Sequence, residues 1–233
     1  MEPTPAASTP LARTVLDRLI ATYEPTRDPA KAAPMRAYMR DQFVFLGLPT
    51  PRRRVLGREV LAGLPRPAED DLRAAALACW ALPEREYQYF ACDWLRRNAS
   101  TCSPAFLDTT RTLITTKSWW DTVDALADHV VGAVVARHPE TVRTMDGWLA
   151  GDNLWLTRTA ILHQLAYADR TDRDRLFRYC LARAGHPDFF IRKAIGWALR
   201  QYAKTEPDAV RRFVGAHRAQ LSPLSVREAL KNL

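Results

Sequence analysis

Turn-like positions recur along this chain at Pro83, Ser118, Asp152, Asp188 and Ser222, at intervals of about 34 to 36 residues. Each opens a segment with helical periodicity that follows another such segment across a short linker. This spacing constrains the fold more than any other feature. It describes stacked antiparallel helix pairs, each burying its apolar face only against its neighbours. Strand patterns are sparse: alternating β-branched runs are few, and no Asn-Gly or Asp-Gly pair sits between two of them. The periodicity predicts helices over 11–22, 32–46, 51–62, 69–81, 84–98, 104–115, 119–136, 140–150, 154–167, 172–184, 189–203, 208–219 and 223–232. The expected fold is all-α, a HEAT-like right-handed helical-repeat solenoid forming a curved array with a basic concave groove.

Within 233 residues there is room for one elongated domain with a continuous core. The Pro-rich start at residues 1–10 lacks an apolar signal core and reads as a disordered tail, leaving 11–233 as a single domain. No run of about 18 apolar residues is present, so no membrane partner is expected and a cytoplasmic location, at the nucleoid when bound to DNA, is. Cys79, Cys92, Cys102 and Cys180 show no paired spacing, and the five histidines form no metal motif. The expectation is reduced structural thiols, no metal and no cofactor. No surface reads as a dimer interface, so a monomer is expected.

Lys and Arg outnumber Asp and Glu by 34 to 26, and the surplus is mostly arginine. A planar guanidinium suits phosphate, so the balance favours a polyanionic partner. Near the starts of successive second helices stand Arg54, Arg85, Lys117, Arg158, Arg192 with Lys193, and Arg227. If those helices line the concave side, the cations form a stripe that fits a duplex backbone, with sequence-independent, salt-sensitive contacts. Taken singly, each could equally be a solvated residue paired with a local carboxylate.

The segment from Lys117 to Asp124 holds two adjacent tryptophans and then a carboxylate one helical turn on. With Ser118 as N-cap, Trp120 and Asp124 are i and i+4 and share a face. Trp119 points about 100° away from Trp120, inward. Trp197 follows Lys193 by four residues on another second helix, and Gly196 beside it removes bulk where a backbone can approach. Trp80, Trp94, Trp148 and Trp155 fit apolar spacing and read as core. Trp120, Asp124, Arg158 and Trp197 are expected to converge across three repeats. Indole faces and one carboxylate in a basic groove suit a cationic purine whose glycosidic bond breaks through a positively charged sugar. A surface ion pair at Asp124 beside a core tryptophan is the plainer alternative.

Several stretches together resemble the AlkD-like DNA alkylation-repair glycosylases. They are Tyr38-Met39-Arg40 with Phe45-Leu46-Gly47, Thr50 to Arg54, Leu82 to Glu86, Thr116 to Asp124, Asp152 to Leu156, and Ala194-Ile195-Gly196-Trp197, and the likeness runs from about Pro34 to the C-terminus. The resemblance implies excision of N3- and N7-alkylated purines from double-stranded DNA without extruding the base. It implies Asp124 as the catalytic carboxylate, Trp120 and Trp197 at the lesion nucleotide, Arg158 on the DNA backbone and Tyr38 in the groove. Some members of the family look specialised for bulky antibiotic adducts, a second reading that the sequence leaves open. A non-catalytic HEAT-like nucleic-acid-binding module and a protein scaffold are the others.

Overall fold

The computed structural model describes residues 9–233, and among these every regular element is helical. The single β pairing there is an isolated parallel bridge between Val44 and Glu84. The chain condenses into two compact units, one ending at Thr109 and one running Thr110–Leu233, where periodicity alone suggests one array.

The first unit holds α1 (Pro10–Tyr23), α2 (Pro29–Tyr38), α3 (Thr50–Leu61), α4 (Glu69–Ala81), α5 (Arg85–Arg97) and the start of α6 (Phe106–Thr115). Thr9 caps α1, its hydroxyl accepting from the Ala12 N–H, so residues 9 and 10 belong to the helix start and not to a tail. The remainder of that expected tail, residues 1–8, lies outside the described residues. Helix α1 packs on α3 and α4, and α4 on α5. Tyr23, Tyr87 and Phe90 fill the space between them, with Tyr23 and Tyr87 stacked at 5.9 Å.

The expected helix over 32–46 is not formed. Helix α2 starts earlier, capped by Asp28, and stops at Tyr38 because Arg40 and Asp41 adopt φ of 53° and 58°. The loop that follows is pinned by the wholly buried Glu86, whose carboxylate accepts from the backbone N–H groups of Leu46, Gly47 and Leu48 at 2.9–3.0 Å.

The second unit holds α7 (Trp120–Leu126), a π-helical turn (Ala127–Val131), α8 (Gly132–Arg137), α9 (Val142–Ala150), α10 (Leu154–Leu162), α11 (Arg173–Ala182), α12 (Phe189–Tyr202), α13 (Pro207–Ala216) and α14 (Pro223–Ala229). Helices α9, α11 and α13 each pack on the helix that follows, which is the expected helix-pair repeat. The second members run side by side in the order α7, α10, α12, α14. Asn153, Asp188 and Ser222 cap the last three, each accepting backbone N–H groups through its side chain. Gly196 lies where α12 meets α14: a Cβ there would run into the Ser225 carbonyl at 2.8 Å and the Glu228 side chain. This is the backbone approach that the glycine predicts.

Candidate functional site

Asp124 sits in the last turn of α7, just before the π-helical turn, and faces α10. Arg158 of α10 meets it with both arms: Nε donates to Oδ1 at 2.7 Å and one terminal nitrogen to Oδ2 at 2.8 Å. The other terminal nitrogen donates to the Phe190 carbonyl at 2.5 Å, in the first turn of α12. Three neighbouring second helices are thus tied through one guanidinium. Only 4% of the Arg158 side chain and 13% of the Asp124 side chain are exposed. Burial pushes the Asp124 carboxyl above its ordinary value, the Arg158 pair pulls the other way, and Asp121 and Asp128 add to the rise.

The expectation that Arg158 lies on a DNA backbone meets a side chain turned inward onto Asp124. A buried guanidinium that already satisfies a carboxylate and a carbonyl presents little to a phosphate. Arg85 departs in the same way in the first unit. It is wholly buried, with its guanidinium 3.8 Å from the centre of the Phe43 ring. The other expected contacts divide. Tyr38 is 70% exposed at the end of α2, and Arg54 is exposed on α3. In the second unit Arg227 is exposed and Lys117 partly so, with φ of 50°. Arg192 donates through Nε to the His186 carbonyl at 2.9 Å. Lys193 is paired with Glu228 at 2.7 Å.

Trp120 and Trp197 are both partly exposed. Trp120 shares a face of α7 with Asp124, and Trp197 shares a face of α12 with Phe190 and Lys193, at the i, i+3, i+7 spacing. The expected cap at Ser118 is not made: its hydroxyl donates back to the Ile114 carbonyl at 2.7 Å, and Trp119 takes the cap position. Trp119 is also not simply inward, nor Trp155 simply core. Both are half-buried and meet Phe190, with ring centres 5.0–5.9 Å apart, beside the Arg158 guanidinium. Trp80, Trp94 and Trp148 are buried, as their spacing predicts.

Phe190 and Glu228 lie outside the residues that the sequence singles out. The signal for Phe190 was available: Trp119, Trp155 and Phe190 place one aromatic at the same point of three successive repeats. Glu228 left no comparable mark, because its role depends on α14 meeting α12. All four cysteines are buried, and burial raises the Cys79 thiol to about 12, which makes it inert. No helix among the described residues is long and apolar enough to cross a membrane.

The stacked pairs, with a buried carboxylate–guanidinium pair flanked by indoles, define a helical-repeat protein. The family model described as "DNA alkylation repair enzyme" matches residues 19–233, and the chain belongs to that family. It is therefore an enzyme of alkylation DNA repair, with DNA as its partner. A solved structure titled "Predicted DNA alkylation repair enzyme from Enterococcus faecalis" is 35% identical, with a TM-score of 0.82 over 89% of this chain and 97% of that one. No curated protein matches the sequence.

Proposed function

We propose that this protein is a DNA glycosylase that hydrolyses the N-glycosidic bond of N3- and N7-alkylated purines in duplex DNA. The observation that carries the reading is the Asp124 carboxylate, nearly buried, fixed by both arms of Arg158 and one turn from a partly exposed indole at Trp120. Alkylation at a ring nitrogen gives the purine a positive charge. When the C1′–N bond breaks, its electron pair leaves with the base and quenches that charge, so little acid assistance is needed. Positive charge then develops on the deoxyribose. A fixed carboxylate beside it stabilises the oxocarbenium-like sugar and orients the water that adds to C1′, the released proton passing to solvent. Products are the free alkylpurine and an abasic site.

In this account Trp120 and Trp197 contact the lesion nucleotide, each adding about 0.5–2 kcal/mol of cation–π attraction. Tyr38, Arg54, Lys117, Arg192, Lys193 and Arg227 contact the backbone, and Arg158 acts by holding Asp124. The protein acts as a monomer. The test is incubation with a duplex carrying one 7-methylguanine. Free 7-methylguanine by mass spectrometry, with an alkali-labile strand at the same position, is expected. Intact substrate under single-turnover conditions, for both this lesion and 3-methyladenine, overturns the reading.

A further inference from the structure

Lys193 lies on the face of α12 that carries Phe190 and Trp197, and its ammonium is paired with a carboxylate in the free protein. Glu228 of α14 accepts from it at 2.7 Å and also from Arg200 of the same helix α12. The Glu228 side chain is one-tenth exposed and Lys193 37% exposed, so the pair sits at the rim of the surface. Both cations hold the carboxylate below its ordinary value, Lys193 first. The contact is built in by the backbone. Gly196 lets α14 close on α12, and the Ser225 hydroxyl donates to the Arg192 carbonyl at 2.8 Å, which fixes where Glu228 stands.

From this arrangement we infer that Glu228 is a specificity-determining residue that keeps Lys193 from undamaged DNA and yields it only to the phosphate of an engaged nucleotide. The second cation makes this possible. When Lys193 moves to a phosphate, Glu228 keeps Arg200, so the exchange leaves no carboxylate without a partner. A passing duplex offers one exposed phosphate in place of a preformed pair and gains little. A nucleotide held by its other contacts presents its phosphate at high effective concentration and takes the ammonium. The inference rests on the reading of this face as the DNA site.

The test is fluorescence anisotropy at one fixed ionic strength. The probes are an undamaged duplex and the same duplex with a single tetrahydrofuran abasic-site analogue. Glu228→Gln is expected to tighten binding of the undamaged duplex by about threefold to tenfold and so to narrow discrimination. Lys193→Met, which keeps the Glu228–Arg200 pair and changes a surface side chain, is expected to weaken the abasic duplex several-fold more than the undamaged one. The double variant is expected to lose the tightening. Unchanged or weaker undamaged binding by folded Glu228→Gln, or tightening that survives Lys193→Met, overturns the inference. Equal weakening of both duplexes by Lys193→Met does so even if Glu228→Gln fails to fold. A wild type with no preference for the abasic duplex removes the underlying site reading itself. A wild-type preference that both variants leave untouched removes only the role of Glu228.

Discussion

Arg158 holds Asp124 with two parallel hydrogen bonds of 2.7 and 2.8 Å, and neither side chain is more than 13% exposed. The carboxylate that the proposed reaction sets against a developing cation is thereby fixed in one orientation. The same guanidinium reaches the Phe190 carbonyl, so the geometry of the carboxylate is coupled to the start of α12, the helix that bears Trp197.

Removing the guanidinium leaves the carboxylate buried without its main partner. Arg158→Met is expected to lower unfolding free energy by about 3–5 kcal/mol and to raise the Asp124 carboxyl further. Arg158→Lys keeps a charge but loses the two-pronged bond, and is expected to fall between them. Denaturant titration measures the first effect, and the excision rate across pH the second. Equal stability in all three proteins contradicts the structural role.

Acid should silence the reaction through Asp124 without unfolding the chain through that group, because a raised carboxyl takes up its proton more readily in the folded chain than in the unfolded one. The proposed chemistry needs that carboxylate ionised, and burial raises its proton affinity above the ordinary carboxylate value. The single-turnover rate is expected to fall as pH drops through a midpoint above that of an exposed aspartate. A rate flat down to the ordinary carboxylate range contradicts an essential ionised Asp124.

A second acid effect acts on stability. His163 is wholly buried, its Nδ1–H donating to the Ala160 carbonyl at 2.7 Å, and burial lowers its value from 6.5 to about 4. The unfolded chain therefore binds a proton below pH 6.5 that the folded chain refuses until about pH 4. Stability is full above pH 6.5 and is lost by about 3 kcal/mol as pH falls across that window. Denaturant melts of wild type and His163→Leu at pH 7 and 5 measure this, the variant showing the smaller pH dependence. Parallel pH curves contradict it.

Gly196→Ala tests the contact that positions α14. The added Cβ meets the Ser225 backbone, which has no flexible end to move aside. An overpacking loss of about 1–3 kcal/mol is expected by thermal or chemical denaturation. A neutral or stabilising outcome shows that α14 shifts freely.

Helix pairing was legible because each second helix begins with its own local signal. Asp188 and Ser222 cap where the punctuation places them, and Asn153 caps one residue beyond Asp152. Local signals failed where the backbone turns through a positive φ at a residue other than glycine. Ser118 turns back to Ile114 while the chain passes through a positive φ at Lys117, which hands the cap position to an indole. The 32–46 periodicity hid a helix end at Tyr38, since the residues that break it are Arg and Asp, not glycine. For the site, the i, i+4 relation of Trp120 and Asp124 was visible in the spacing. The partners of the cations were not: Arg158 and Arg85 have the composition of a phosphate-binding stripe, and only packing shows their charges used within the protein.

The most direct measurement is single-turnover release of 7-methylguanine from a defined duplex by wild type and Asp124→Asn, with DNA affinity recorded for both. The account predicts release by wild type, loss of most of that rate in the variant, and affinity within a few-fold. Release by Asp124→Asn at the wild-type rate contradicts the central role given to this carboxylate.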